Sequence, residues 1–236
     1  MADIHSHILP RMDDGSRSPE ESVAMLEESF RQGVRQMVAT PHFYPTEDHP
    51  EDFLKRRAES IRVLSGSLQG QSIPTVYVGA EVAYYFGMGK SEFLKDFCIS
   101  GTNFLLVEMP FDSFTDTMLE DLRLIIERQH LHPILAHIER YLDFQKKGTI
   151  DKLPEMGCIL QSNASFFLNA KTERKAFHML KQGSIGLLGT DCHNMEYRAP
   201  NMGEAVRKIC SAGDLEYLLP IASLGSGILN KAVPIL

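Results

Sequence analysis

The feature that most narrows the fold is a regular alternation along the chain. Seven short apolar runs (ADIHSH, QMVATPHF, TVYVGAEV, FLLVEMPF, PILAHIER, CILQSNASFF and IGLLGTDCH) are separated by segments of helical period. Strands that are apolar almost throughout belong to parallel sheets covered on both faces, and a strand–helix alternation is how such sheets are built. About seven strands in 236 residues suit a closed or nearly closed barrel of the TIM type, with a doubly wound open sheet as the alternative. No Pro/Ser/Gly-rich linker divides the chain, so residues 1–236 are expected to form a single domain. The helical segments carry their own punctuation. Ser18-Pro19-Glu20-Glu21 reads as a capping box with proline in the first turn. Val23, Leu26, Phe30 and Val34 then mark an apolar face, with Gly33 near the stop.

Polar residues at the ends of these runs carry the chemistry. The first run supplies His5 and His7, the second His42, the third Glu81, the fourth Glu108, the fifth His137, and the last Asp191 and His193. In a parallel α/β fold every strand's C-terminal end opens on one mouth, so residues spread from 5 to 193 are expected to converge there. In extended backbone the two imidazoles of His-x-His share a face, as do Asp191 and His193, which leaves Cys192 on the opposite one. Each residue alone has an ordinary reading, Glu108 as a hydrogen-bonded buried acid and His137 as a core histidine. Together they are expensive to bury unless a cation joins them. Imidazoles and carboxylates without thiolates suit manganese, iron or zinc better than calcium. Eight ligands exceed the needs of one ion, so two to three divalent ions sharing a carboxylate are expected.

Composition trims the partners. The net charge of −7 disfavours a protein that grips nucleic acid by its backbone, while bound cations would still admit a phosphorylated substrate. The N-terminus lacks a signal peptide's apolar stretch, no run nears the roughly 18 apolar residues of a membrane span, and the four cysteines show no paired spacing. A cytoplasmic protein without stable membrane insertion is expected. No feature of the sequence specifies an oligomeric state.

At His5-x-His7, Pro41-His42, Gly79-Ala80-Glu81, AHIER and Asp191-x-His193 the chain resembles the polymerase and histidinol phosphatase superfamily. It is most similar to that superfamily's bacterial protein-tyrosine phosphatases of capsule and exopolysaccharide synthesis, through DIHSHILPRMDDG, GVRQMVATPHF, LLVEMPF, AHIERY and TDCHN. The resemblance implies a distorted (β/α)7 barrel with three metals, manganese in the active state. It implies one ion on His5, His7, Glu81 and Asp191. A second would share Glu81 with Glu108 and His137, and a third would lie on Asp14, His42 and His193. Asp13 and Asp14 are not separable at this point. Arg140 and Arg198 resemble the family's phosphate-contacting arginines, and a tyrosine kinase is the partner that the group implies.

The expected reaction is phosphate-monoester hydrolysis by water activated between cations, with the arginines neutralising the phosphoryl group and Asp191, Asp14 or bound water protonating the leaving oxygen. Phe43, Tyr44 and Phe111 follow the strand ends of His42 and Glu108 and are expected at the rim, flanking a phenyl group. Two other activities compete: hydrolysis of histidinol phosphate or nucleotides, and cysteine chemistry through Cys192 and Arg198, which have C-x5-R spacing. The second lacks a glycine-rich phosphate cradle and puts Glu196 where it would repel the substrate. A binding module without activity is disfavoured because every ligand position holds a competent ligand type.

Overall fold

Nine strands, rather than seven, appear in the computed structural model, which describes residues 1–236. They are β1 (Ala2–Ser6), β2 (Gln36–Ala39), β3 (His42–Phe43), β4 (Thr75–Val78), β5 (Glu81–Ala83), β6 (Phe104–Glu108), β7 (His132–Leu135), β8 (Ile159–Asn163) and β9 (Leu187–Gly189). Seven positions around the sheet account for all nine, because two runs break in the middle. The second breaks at Thr40-Pro41, where proline has no N–H for the ladder. The third breaks at Gly79-Ala80, where the segment around Phe97–Ser100 pairs with it. Ala80 N–H donates to Phe97 O at 3.1 Å, and Ser100 N–H to Val78 O at 2.8 Å.

All paired strands are parallel. The orders are β1-β2-β4 and β3-β5-β6-β7-β8-β9, the lower and upper parts of one curled sheet. The curl closes just beyond β9, where Asp191 N–H donates to His5 O (2.8 Å) and His7 N–H to Cys192 O (2.9 Å). This is the distorted barrel, and the open doubly wound alternative is set aside. Gly189 lies at the seam. A Cβ there would meet His5 Cβ at 2.6 Å and Gln161 Nε2 at 2.8 Å. Only glycine lets the two strand ends approach this closely.

Helices α1 (Pro19–Arg31), α2 (Pro50–Ser67), α3 (Asp116–Glu127), α4 (Thr149–Glu155), α5 (Ser165–Leu168), α6 (Glu173–Lys181), α7 (Met202–Ser211) and α8 (Leu215–Leu229) cover the sheet. A cluster of 45 buried apolar residues joins strand residues such as Met37, Leu105 and Leu160 to helix residues such as Leu26, Leu64 and Ile125. Helix α8 adds Ile228 and Leu229 to a smaller cluster with Ile4, Val38, Leu106 and Ile134. No helix is long and apolar enough to cross a membrane.

Helix α1 begins as its sequence indicates. Ser18 Oγ accepts from Glu21 N–H at 3.3 Å, and Gly33 takes φ 91° just after the end. Its buried face differs from the expected one, being Ser22, Met25, Leu26 and Ser29, with Val23 and Phe30 only partly covered. Serines win that face because they hydrogen-bond locally and let the helix sit close: Ser22 Oγ lies 2.7 Å from Ser16 Oγ, and Ser29 Oγ donates to Met25 O. Phe30 instead stacks under the guanidinium of Arg35.

Gly189→Ala is expected to force β1 and β9 apart, at a cost on the order of 1–3 kcal/mol. A urea-denaturation midpoint matching the wild type's would show that the seam tolerates a methyl group.

Candidate metal centre

The strand ends bring His5, His7, His42, Glu81, Glu108, His137, Asp191 and His193 to one mouth, and the loop after β1 adds Asp14. Three groupings have all their donor atoms within 4.8 Å of one another: His7, Asp14, His42 and His193; His5, His7 and Glu81; and His42, Glu81 and Glu108. Asp191 flanks the second, its Oδ1 lying 3.6 Å from His5 Nε2 and 3.4 Å from His7 Nε2. His137 flanks the third, with Nε2 at 2.9 Å from Glu81 Oε1 and 3.4 Å from Glu108 Oε1.

The orientation of the rings follows from what holds their far sides. His5 Nδ1 lies 3.1 Å from the amide oxygen of Gln161, His7 Nδ1 2.7 Å from Asp13 Oδ2, and His193 Nδ1 3.0 Å from the backbone oxygen of Asp191. Each of these oxygens can only accept, so each Nδ1 carries the proton and each Nε2 keeps a lone pair. Those lone pairs point inward, and His5 Nε2 faces His7 Nε2 across 3.1 Å. Two lone pairs at that distance repel unless a proton or a cation lies between them. Burial opposes charge on His7, yet Asp13, Asp191 and Glu81 raise it well above the ordinary range, so a bound cation would take the place of that proton. Glu81 Oε2 is approached by His42 Nδ1 (3.0 Å), His5 Nε2 (3.1 Å) and His7 Nε2 (3.3 Å), yet forms no hydrogen bond. His42 Nδ1 and His193 Nε2 are likewise buried without partners. Buried polar atoms are almost always paired, so unpaired ones aimed at a common point mark a place for ions. The donor set fits divalent transition metals.

Carboxylates and imidazoles hold charge on one another in this mouth. Burial opposes charge on Glu81 and Asp191. The imidazoles of His5, His137 and His42 around Glu81, and of His5 and His7 around Asp191, nevertheless hold both carboxyls well below the ordinary range. Burial also opposes charge on His137, yet Glu108 and Glu81 raise it to about 9. His193 is pushed down to about 4 by burial and by His7 and Arg198. It is therefore neutral at physiological pH, whereas His137 holds a proton that a bound cation would displace.

The two aspartates that sequence could not separate part here. Asp13 is tied on both oxygens, accepting from His42 N–H (2.8 Å) and Gly15 N–H (2.9 Å) besides orienting His7. Asp14 Oδ1 instead faces His193 Nε2 at 3.3 Å and His42 Nε2 at 3.7 Å. Asp191 divides its two oxygens. Oδ1 faces the imidazoles, while Oδ2 takes Arg140 Nη2 (2.5 Å), Arg198 Nη2 (2.6 Å) and Asn163 Nδ2 (2.9 Å). Both Asp191 (φ 53°) and His137 (φ 32°) adopt left-handed backbone, which costs energy for a residue with a Cβ and re-aims the side chain at the strand's end.

Gln161 and Asn163 escaped the sequence reading because the sixth run ends in amides rather than ligands. Polar amides on an otherwise apolar strand were the available signal. Gln161 receives His137 N–H at 2.8 Å and donates to Asn163 at 3.0 Å, so one strand sets two rings and Asp191. Phe43, expected at the rim, is fully buried and packed on Phe53, Phe93 and Phe97. It points away from the mouth because His42, its neighbour in β3, points in. Tyr44 and Phe111 do reach the rim, half-exposed and stacked on His42 (centroids 5.2 Å) and His137 (6.2 Å). Cys192 has no solvent exposure, and burial with the charges of Asp3 and Asp191 raises its thiol far above the ordinary range. It cannot serve as a nucleophile in this fold.

Known proteins share this fold. A solved structure from work on Bacillus subtilis YwqE and Streptococcus pneumoniae CpsB, metal-dependent tyrosine phosphatases, superposes with TM-score 0.80 at 22% identity, covering 99% of this chain and 96% of that one. A D-hydantoinase from a Thermus species shares the fold more loosely, with TM-score 0.54 over 94% of this chain and 68% of that one. In sequence, the tyrosine-protein phosphatase CpsB of Streptococcus agalactiae serotype III is 31% identical over 227 residues, 89% of this chain and 90% of that protein. The tyrosine-protein phosphatase YwqE of Bacillus subtilis is 29% identical, covering 87% and 82%. The family model for capsular polysaccharide synthesis proteins, CpsB/CapC, matches residues 1–223. The chain belongs to the CpsB/CapC family.

Proposed function

We propose that this protein is a metal-dependent phosphomonoester hydrolase that removes phosphate from tyrosine in proteins, with manganese as its metal. The observation that carries the reading is the set of Nε2 lone pairs and the unpaired Glu81 oxygen aimed at one point beside two arginines. Relatives covering most of the chain are tyrosine-protein phosphatases, which fixes the substrate class that we adopt.

His5, His7, Glu81 and Asp191 would hold one ion. Glu81, Glu108 and His137 would hold a second, and Asp14, His42 and His193 a third, with Asp13 orienting His7. The chemistry that divalent ions supply in such a site is neutralisation of phosphoryl charge and activation of water as a nucleophile near neutral pH. Arg140 and Arg198 sit partly exposed at the mouth, where forked N–H groups can take two phosphoryl oxygens and hold the group in line for attack. Phe111 and Tyr44 would flank the phenyl ring with offset contacts worth roughly 0.5–1.5 kcal/mol each. A phenolate leaving group, with a pKa near about 10, requires less protonation than an alkoxide. Asp14, exposed at the mouth, is the side chain placed to relay that proton from water, while Asp191 is held ionised by His5, His7 and the two arginines. The family's role in capsular polysaccharide synthesis makes a tyrosine kinase of that process the substrate protein we propose. Four free cysteines, three of them buried, fit a cytoplasmic setting.

Protein purified without chelators is expected to carry two to three transition-metal ions per chain by elemental analysis, and to lose activity in EDTA. Gln161→Leu removes the acceptor that fixes the His5 tautomer and is expected to weaken metal binding about 10- to 100-fold. Direct metal titration reads this, and unchanged affinity would mean that the amide does not orient the ligand.

Comparison of kcat/KM with manganese present should rank a phosphotyrosine peptide above a phosphoserine peptide and histidinol phosphate. Cys192→Ser should retain most activity. A preference for histidinol phosphate or a nucleotide would replace the tyrosine assignment and leave the metal hydrolase standing.

A further inference from the structure

A groove runs away from the metal centre between the loop after β1 and the outer face of α2. It consists of two adjoining cavities. The first, about 490 Å³, opens on Asp14 and His42. The second, about 710 Å³, lies beyond it, and Met12 and Arg56 line both. The far cavity takes Pro10, Met12, Pro19 and Val63 as apolar lining. Its wall is fixed: Ser60 Oγ on α2 donates to Pro10 O at 2.8 Å, and Arg56 is paired with Asp48.

We infer that this groove holds the stretch of substrate polypeptide adjoining the phosphotyrosine, bound extended, with apolar side chains against Pro10, Met12, Pro19 and Val63. The inference rests on the phosphatase reading and gives that activity a protein-specific subsite. Continuity with the mouth is the first argument, since the near cavity shares Asp14 and His42 with the metal centre and Met12 and Arg56 with the far cavity. Charge is the second. In the far cavity Arg11, Lys55 and Arg56 stand against Glu20 and Glu59, so charge nearly cancels beside the apolar lining. Asp13, Asp14, Glu47 and Asp48, by contrast, leave the near cavity acidic and unsuited to acidic residues next to the phosphotyrosine. Length is the third. From Arg56 to Val63 the helix rises about 10 Å, which an extended peptide spans in about three residues. The near cavity is crossed before Arg56 is reached, so the residue that meets Val63 lies more than about three positions from the phosphotyrosine.

The experiment compares free phosphotyrosine with phosphotyrosine peptides extended by one to six residues on either side, using the manganese-loaded full-length protein. Extension on one side, by more than three residues including an apolar one at the far end, is expected to raise kcat/KM about tenfold, mainly through KM. Val63→Glu is expected to abolish that gain and leave hydrolysis of free phosphotyrosine unchanged. Lys55→Ala, which removes an aliphatic stem from the exposed wall without introducing a charge, is expected to reduce the gain in the same direction. Wild-type protein that hydrolyses free phosphotyrosine but shows no gain with length overturns the groove and spares the activity. Equal losses on free phosphotyrosine and long peptides in Val63→Glu and Lys55→Ala would do the same. Failure to hydrolyse phosphotyrosine in any form overturns both.

Discussion

Three hydrogen bonds on the far sides of three imidazoles govern the geometry of this site. Gln161, Asp13 and the Asp191 carbonyl each accept from a histidine Nδ1, and each leaves an Nε2 lone pair facing inward. The alternative tautomer would put N–H groups into the centre and repel a cation. Asp13 and the Asp191 carbonyl set their rings locally, whereas Gln161 lies on β8, so the His5 tautomer depends on barrel closure. The Gly189 seam, the backbone bonds from Asp191 to His5 and from His7 to Cys192, and the amides of β8 therefore belong to one arrangement.

The same dependence explains the concentration of cost at this mouth. Glu81, Asp191 and four histidines are buried there, Asp191 and His137 adopt left-handed backbone, and three polar atoms lack partners. Each would destabilise an ordinary core by on the order of 1–3 kcal/mol. A large apolar cluster away from the mouth offsets these terms, so the fold separates stability from chemistry along the strand direction.

Asp191 shows how charge is divided within that mouth. One oxygen faces the imidazoles and the other collects two guanidiniums and an amide. A phosphoryl group arriving between the arginines and the metal centre would meet positive charge already paired to a carboxylate, which limits the repulsion between Arg140 and Arg198 when no substrate is bound.

The sequence by itself determined the alternation of strand and helix, the parallel sheet, and the residue types at the strand ends, because each is written in local period and position. His5, His7, His42, Glu81, Glu108, His137, Asp191 and His193 were legible since strand ends share one mouth whatever the packing. Other features depended on tertiary structure. The breaks at Pro41 and Gly79 rest on which segment pairs beside them, and the serine face of α1 on how closely it seats. The burial of Phe43 follows from the direction His42 takes. Asp13 and Asp14 are adjacent and chemically identical in sequence, and only the turn's path through Gly15 sends one to His7 and the other to His42 and His193. Gln161 and Asn163 were hidden for a related reason: an amide's function lies entirely in what it touches, and contact between residues 5 and 161 exists only once the barrel closes.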